Sequence, residues 1–350
     1  MAAENTMTEE HGEQSQPGPV DKQGSPGAAA KLLRNLVFLP WVQYPPLPRV
    51  PDLSDPTSFK WDQGKDSAGK DDFDYDTSLV SHLFISSPVG TKDSTSRVGA
   101  WLMLPTSSSG KVETLKSSDT VILYLHGNAS NRSQPHRIAL YKVFLSLGYY
   151  VLAIDYRGFG DSSAVLLTED TVVADARAAL AWITAKLGEA CKVVVWGHSL
   201  GTAISTHMVA EADMETGGSS SVRGLVLESP FNNMKEMVAT YKITSGLISR
   251  VLDIDQLILD TGVEFATDRW LPAVRCPVLI LHAEDDNIVP HRLGVALEAS
   301  TREAGKQEVR LVSYPSTMGL GHCDIYKASS LPEEVQSFVE RLQGESTNQG

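Results

Sequence analysis

The order of apolar and polar positions divides the chain into stretches with different prospects. Residues 1–30 are rich in Gly, Pro, Ser, Glu and Gln and show no apolar period. They have too little to bury to offset the cost of ordering, so a disordered tail is expected. Residues 31–77 form an N-terminal extension that holds "LLRNLVFLPWVQYPPLP" from Leu32 to Pro48. This run is interrupted by Arg34 and closed by prolines. Packing against the domain is its expected role, with a shallow membrane or partner contact as the alternative. Residues 51–77 are polar, and the acidic "KDDFDYD" reads as a surface connection pinned by Phe73 or Tyr75. Its acids lack the ordered spacing of a calcium loop.

From about residue 78 to residue 343 the pattern becomes periodic. "SRVGAWLMLP", "DTVILYLHG", "YYVLAIDYRG", "CKVVVWG", "VRGLVLESP", "CPVLILHAED" and "EVRLVSYP" predict strands. "HRIALYKVFLSLG" and "TVVADARAALAWITAKLG" have helical spacing and a glycine stop, and a further helix follows "CKVVVWG". "LPEEVQSFVERLQ" supplies a last helix, with Ser330 and Glu333 at capping-box spacing and Pro332 in the first turn. Continuous apolar strands alternating with helices predict an α/β fold: a mostly parallel central sheet with helices on both faces. Between about residues 230 and 271 the alternation breaks into a largely helical stretch. We read it as a cap insertion over the C-terminal edge of the sheet, where open α/β sheets hold their sites. Residues 344–350 form a second short polar tail, also expected to be disordered.

Composition narrows the function. A chain of 350 residues with 42% apolar positions can bury a sizeable core. Its formal net charge of -13 repels phosphate backbones, so no nucleic-acid partner is expected. Nor does it offer general attraction to anionic membranes. Cys191, Cys276 and Cys323 are scattered; they suggest neither zinc nor a redox pair and fit a reducing compartment. The first 30 residues lack a signal-peptide core, and no run approaches the length of a membrane span. The expected location is the cytoplasm or a membrane surface. No cofactor or metal is expected.

The chemistry concentrates at "VVVWGHSLGTAI". Strand, Gly-His-Ser-Leu-Gly and helix follow one another, which predicts a sharp turn with Ser199 at its tip. Gly197 and Gly201 leave room where strand and helix nearly collide. The alternative is an ordinary turn whose serine caps a helix. A neutral serine needs a base, and the base an orienting acid. The acid follows the strand Val278–Leu281, in "LILHAEDDNIVP", where Glu284, Asp285 and Asp286 are candidates. Asp286 is favoured on motif position, with Asp285 in reserve. The base candidate is His322 in "GLGHCDIY", between the last strand and the last helix. His282 is read as local packing and His291 as an exposed helix start. Two backbone amides are expected to hold an oxyanion: Leu200, after the nucleophile, and Asn128, in the loop "HGNASNR". His126 is read as fixing that loop, and Arg157 and Asp161 as fixing "DYRGFGDS". Two sequons, Asn128-Ala-Ser and Asn131-Arg-Ser, overlap the oxyanion loop.

The ordered set "ILYLHGNASNR", "HRIALYKVFLSLGY", "DYRGFGDS", "VVWGHSLGTAI", "LVLESPFNNM", "CPVLILHAEDDNIVP" and "IYKASSLP" resembles the α/β-hydrolase superfamily. More narrowly, it resembles the α/β-hydrolase-domain-containing protein 12 group over roughly residues 78–343. The resemblance implies an α/β-hydrolase fold and a Ser199, Asp286 and His322 triad. It also implies lipase activity on monoacylglycerols and lysophospholipids, with lysophosphatidylserine a principal substrate. Animal members of the group commonly carry an N-terminal membrane anchor facing the endoplasmic-reticulum lumen, a feature this sequence does not display. Met234, Met237, Leu247, Ile248, Leu252, Ile254, Leu257, Ile258, Leu259 and Phe265 of the insertion either line an acyl channel or pack it onto the core. Lys235, Lys242 and Arg250 are weak candidates for a headgroup contact. The competing readings are a short-chain carboxylesterase, a protein depalmitoylase or peptidase, and a non-catalytic binding module on the same scaffold.

Overall fold

The computed structural model describes residues 37–38, 79–89, 91–105, 116, 119–164, 167–188, 191–218, 220–240, 254–306 and 308–344. Its centre is one eight-stranded sheet in the order β1-β2-β4-β3-β5-β6-β7-β8. The strands are β1 (Val80–Val89), β2 (Thr91–Met103), β3 (Thr120–Leu125), β4 (Tyr150–Ile154), β5 (Lys192–His198), β6 (Val222–Glu228), β7 (Val278–Ala283) and β8 (Val309–Tyr314). From β4 to β8 all neighbours are parallel, while β1 and β2 pair antiparallel at one edge. The helices are α1 (Pro135–Ser146), α2 (Glu169–Leu187), α3 (Leu200–Glu215), α4 (Met234–Thr240), α5 (Ile254–Thr261), α6 (Thr267–Trp270), α7 (His291–Glu303) and α8 (Leu331–Gly344).

Both faces of the sheet are apolar, which is why its strands read as unbroken hydrophobic runs. Val193 and Val195 of β5 join the core formed with α2, α3 and α7. Val194 and Trp196 of the same strand join the core formed with α1 and α8. Each such fully buried side chain contributes about 1.5–3 kcal/mol relative to exposure. Parallel strands buried this way bring all their carboxyl ends to one edge. The loops after β3, β5, β7 and β8 therefore converge there.

Two features depart from the apolar pattern. Strand β1 has no unbroken apolar run to mark it, because it lies at the edge of the sheet and Phe84 is left 40% exposed. Helix α2 begins two residues before Thr171, because Thr168 and Thr171 form the capping box. Within the extension, Val37 and Phe38 are buried, and the Phe38 ring meets Phe265 edge-on at 5.8 Å. These two residues pack as expected; the rest of Leu32–Pro48, the acidic stretch and both tails apart from Gly344 lie outside the described residues. In the insertion, Met234, Ile258 and Phe265 are buried in the core, with Met237 and Leu257 packed against it. Leu259 is exposed. Leu247, Ile248, Leu252, Lys242 and Arg250 lie outside the described residues, as does the side chain of Ile254. Among the described residues, no helix is long and apolar enough to cross a membrane.

Arg157 fixes its loop as its position in "DYRGFGDS" suggests. Its guanidinium is buried against Asp175 of α2, with contacts of 2.6 and 3.0 Å, and donates to Ser87 of β1 at 2.9 Å. Removing one member of such a pair strands a buried charge. We expect Arg157→Met to lose about 3–5 kcal/mol of stability and Arg157→Met/Asp175→Leu to recover most of it, measured by urea denaturation.

Candidate active site

Strand β5 runs into α3 with almost no space between them. A Cβ on Gly197 would strike the Gly201 carbonyl, and one on Gly201 would strike the Leu125 carbonyl of β3. Ser199 sits between them at φ 53° and ψ -118°, a left-handed conformation costly for a serine. The Ser199 amide donates to the Glu228 carbonyl at 2.9 Å, and its own carbonyl accepts the Thr202 amide at 2.9 Å. The hydroxyl does not cap α3, so the helix-cap alternative for this serine is not what the fold builds.

The three acids after β7 divide the work among them. Glu284 accepts the Ser316 amide and Asp285 accepts the Gly321 amide, both at 3.1 Å. Asp286 is buried, and its Oδ2 lies 2.7 Å from His322 Nδ1. Its Oδ1 accepts the Ile288 and Val289 amides at 2.9 and 2.8 Å. His282, read as packing, also approaches Asp286 Oδ2 at 3.4 Å while its Nε2 donates to the Val289 carbonyl at 2.9 Å. Burial works against ionisation of Asp286. His282, His322 and the Val289 amide outweigh it and hold the carboxyl well below the usual range. His291 begins α7, is half-buried rather than exposed, meets Ser313 at 2.8 Å and packs its ring edge-on against His282 at 5.4 Å.

The loop after β3 is braced from beneath. Arg137 is buried and donates to the Asn131 and Ala129 carbonyls at 2.5 and 2.7 Å. The Arg132 amide donates to Asp155 at 2.6 Å, and its guanidinium takes both oxygens of Asp161 at 2.8 and 3.0 Å. His126 Nδ1 donates to the Gly127 carbonyl at 2.7 Å, as a loop-fixing group would. Among the described hydrogen bonds, neither the Asn128 nor the Leu200 amide has a protein acceptor. Both remain available to an anion, and Leu200 stands at the positive end of α3. Asn131 is buried and its side-chain oxygen accepts from Ser133, so that sequon has no room for a glycan in the fold.

Glu228, at the carboxyl end of β6, had no marker in the sequence beyond its place in "LVLESP". It is fully buried and accepts the Trp196 indole N–H at 2.8 Å. Burial pushes its carboxyl up to about 7; Trp196 and Arg137 oppose the rise and Asp286 adds to it.

A family model described as the α/β hydrolase fold matches residues 120–253. Lysophosphatidylserine lipase ABHD12 of Macaca fascicularis is 37% identical over 265 residues, covering 71% of this chain and 65% of the relative. The Danio rerio protein of the same name is 38% identical over 236 residues, covering 65% and 60%. The chain belongs to the α/β-hydrolase superfamily, in its ABHD12-like family. It spans less than two thirds of the length of these relatives. Human Protein ABHD12B is 34% identical over 235 residues, covering 65% of this chain and 62% of that one. Among solved structures, an α/β hydrolase from Vibrio vulnificus has a TM-score of 0.57 at 16% identity, covering 74% of this chain and 81% of that one. The esterase Pf2001 of Pyrococcus furiosus has a TM-score of 0.55 at 17% identity, covering 76% and 90%. At such identities they speak to the fold.

The raised carboxyl of Glu228 makes a prediction for this ABHD12-like chain. A folded acid with a raised pKa favours folding while protonated, and that advantage fades as pH rises from its unfolded value, near 4.5, through about 7. Glu228→Gln keeps an acceptor for Trp196 and cannot ionise. Its stability should match wild type at pH 4 and exceed it at pH 8, by about 3 kcal/mol.

Proposed function

We propose that the chain is a serine hydrolase that cleaves acyl esters of monoacylglycerol or lysophospholipid type. The observation that carries the reading is the contact of buried Asp286 with half-buried His322 at 2.7 Å, presented on the same sheet edge as the strained Ser199 turn. The ABHD12 relatives, named as lysophosphatidylserine lipases, support the substrate class.

The chemistry follows from the positions. His322 takes the Ser199 proton through its Nε2 as the hydroxyl attacks the acyl carbonyl. Asp286 keeps the Nδ1 proton in place and stabilises the imidazolium. The Asn128 and Leu200 amides receive the oxyanion, each worth about 3 kcal/mol of barrier. The alcohol leaves with the proton from His322. Water, deprotonated by the same imidazole, then attacks the acyl-enzyme, and Ser199 recovers its proton from His322.

A fluorophosphonate probe should label wild type and fail to label Ser199→Ala. Asp286→Asn should fold and lower kcat by about 10⁴, because the imidazole loses its tautomer. Across an acyl series, long-chain monoacyl lipids should exceed short esters in kcat/KM. Preference for short esters or for S-acylated protein would replace the lipid class by a carboxylesterase or depalmitoylase. A folded wild type that stays unlabelled in detergent would remove the hydrolase reading.

A further inference from the structure

His322 stands on the connection between β8 and α8, whose regular segments are two single-turn helices, Ser316–Met318 and Ile325–Lys327. Side-chain contacts add to the backbone bonds of this connection, among them the Asp324 amide to the Leu320 carbonyl at 3.1 Å. Three contacts come from one side, the loop after β7: Glu284 to the Ser316 amide, Asp285 to the Gly321 amide and Asp286 to the His322 ring. A fourth comes from the nucleophile's own strand. His198, the residue before Ser199, places its Nε2 3.0 Å from the His322 carbonyl oxygen, and the two rings lie 5.0 Å apart.

A carbonyl can only accept, so the proton of His198 sits on Nε2 and Nδ1 carries the lone pair. His198 is 3% exposed, and its Nδ1 is buried with no protein hydrogen-bond partner among the described residues. A second proton on this ring would be both buried and crowded by charge. Burial, His322 and His136 all lower the His198 pKa far below its ordinary value, while the His322 carbonyl pulls it back only in part. Arg137 adds to the lowering. The ring is thus a fixed, neutral, single donor, suited to holding a backbone atom through a reaction in which the adjacent imidazole changes charge.

We propose that His198 is a positioning residue for His322, setting the separation between the Ser199 hydroxyl and the imidazole by pinning the His322 carbonyl to β5. The proposal rests on the serine-hydrolase reading for its kinetic consequence and on geometry alone for the contact.

The test compares His198→Ala with His198→Gln, whose amide can donate from about the place of Nε2. The downfield proton NMR signal of the His322–Asp286 hydrogen bond should shift in His198→Ala and return in His198→Gln, a readout that needs no turnover. In monoacyl-ester hydrolysis, His198→Ala should lower kcat about 10–100-fold, as loss of an orienting partner does. KM should stay near wild type, the acid limb of the pH–rate profile should move, and His198→Gln should restore most of kcat. An unshifted proton with wild-type kcat in His198→Ala overturns the proposal. Equal losses in both variants, tracking melting temperature, do so as well, because they mark packing alone. Wild type that shows the NMR contact yet neither labels with fluorophosphonate nor turns over sinks the hydrolase reading and leaves the contact standing.

Discussion

The collision of β5 with α3 governs the rest of the site. Because a side chain at Gly197 or Gly201 would overlap backbone, the turn can close only with glycine on both sides. The residue between them is driven to φ 53°, at a cost of about 1–3 kcal/mol for a serine. That strain persists because the flanking elements are immobilised elsewhere. The strand is buried on both faces, and the Ser199 amide is tied to the Glu228 carbonyl at 2.9 Å. The same closeness brings the end of β3 against the turn, since a Cβ on Gly201 would meet the Leu125 carbonyl. The loop carrying Asn128 therefore starts beside the first turn of α3, and two free amides lie within one compact region. A looser junction would separate them.

Two buried carboxyls near this edge are driven in opposite directions by what surrounds them. Asp286 receives two backbone amides and faces two imidazoles, and it stays ionised despite burial. Glu228, at the end of the neighbouring strand, receives one indole N–H and is pushed up to about 7. Environment assigns unlike states to like groups. The consequence is electrostatic: below about pH 7 the negative charge beneath His322 is concentrated on the carboxylate that contacts its ring. An ionised Glu228 would spread that charge toward β6 and away from the His322 ring.

The sheet and its two layers were legible because parallel strands buried on both faces must be apolar throughout, and short apolar runs alternating with helical spacing arise in little else. The edge strand β1 escaped because half-exposed edges need no such run, as Phe84 shows. Of the candidate site, the residues with a positional signature were the ones sequence could nominate: Ser199 from its glycines, and Asp286 and His322 from their places after β7 and β8. Sequence favoured Asp286 with Asp285 in reserve, and the fold gives each acid a contact: Glu284 and Asp285 accept loop amides and Asp286 meets the imidazole. His282, Glu228, Arg137 and His198 carried no comparable signal. The contacts of Glu228 and His198 span 32 and 124 residues of sequence, which local pattern does not encode.

The end of the insertion belongs to this same framework. Glu169, at the start of α2, donates its amide to the Gly262 carbonyl, and its carboxylate accepts the Phe265 amide at 2.6 Å. The other carboxylate oxygen meets His207 of α3 at 2.8 Å, and that ring stacks on Trp270 at 4.0 Å. Phe265 itself is held at φ 44° and is fully buried. Lifting this end of the insertion would expose Phe265, unstack Trp270 and break the bonds of a buried carboxylate, a cost comparable to disrupting a buried ion pair, about 3–5 kcal/mol. At tenfold per 1.4 kcal/mol, such a cost keeps the lifted form below about 1% of the population. The segment from Phe265 to Trp270 is therefore part of the fixed wall that α3 supports.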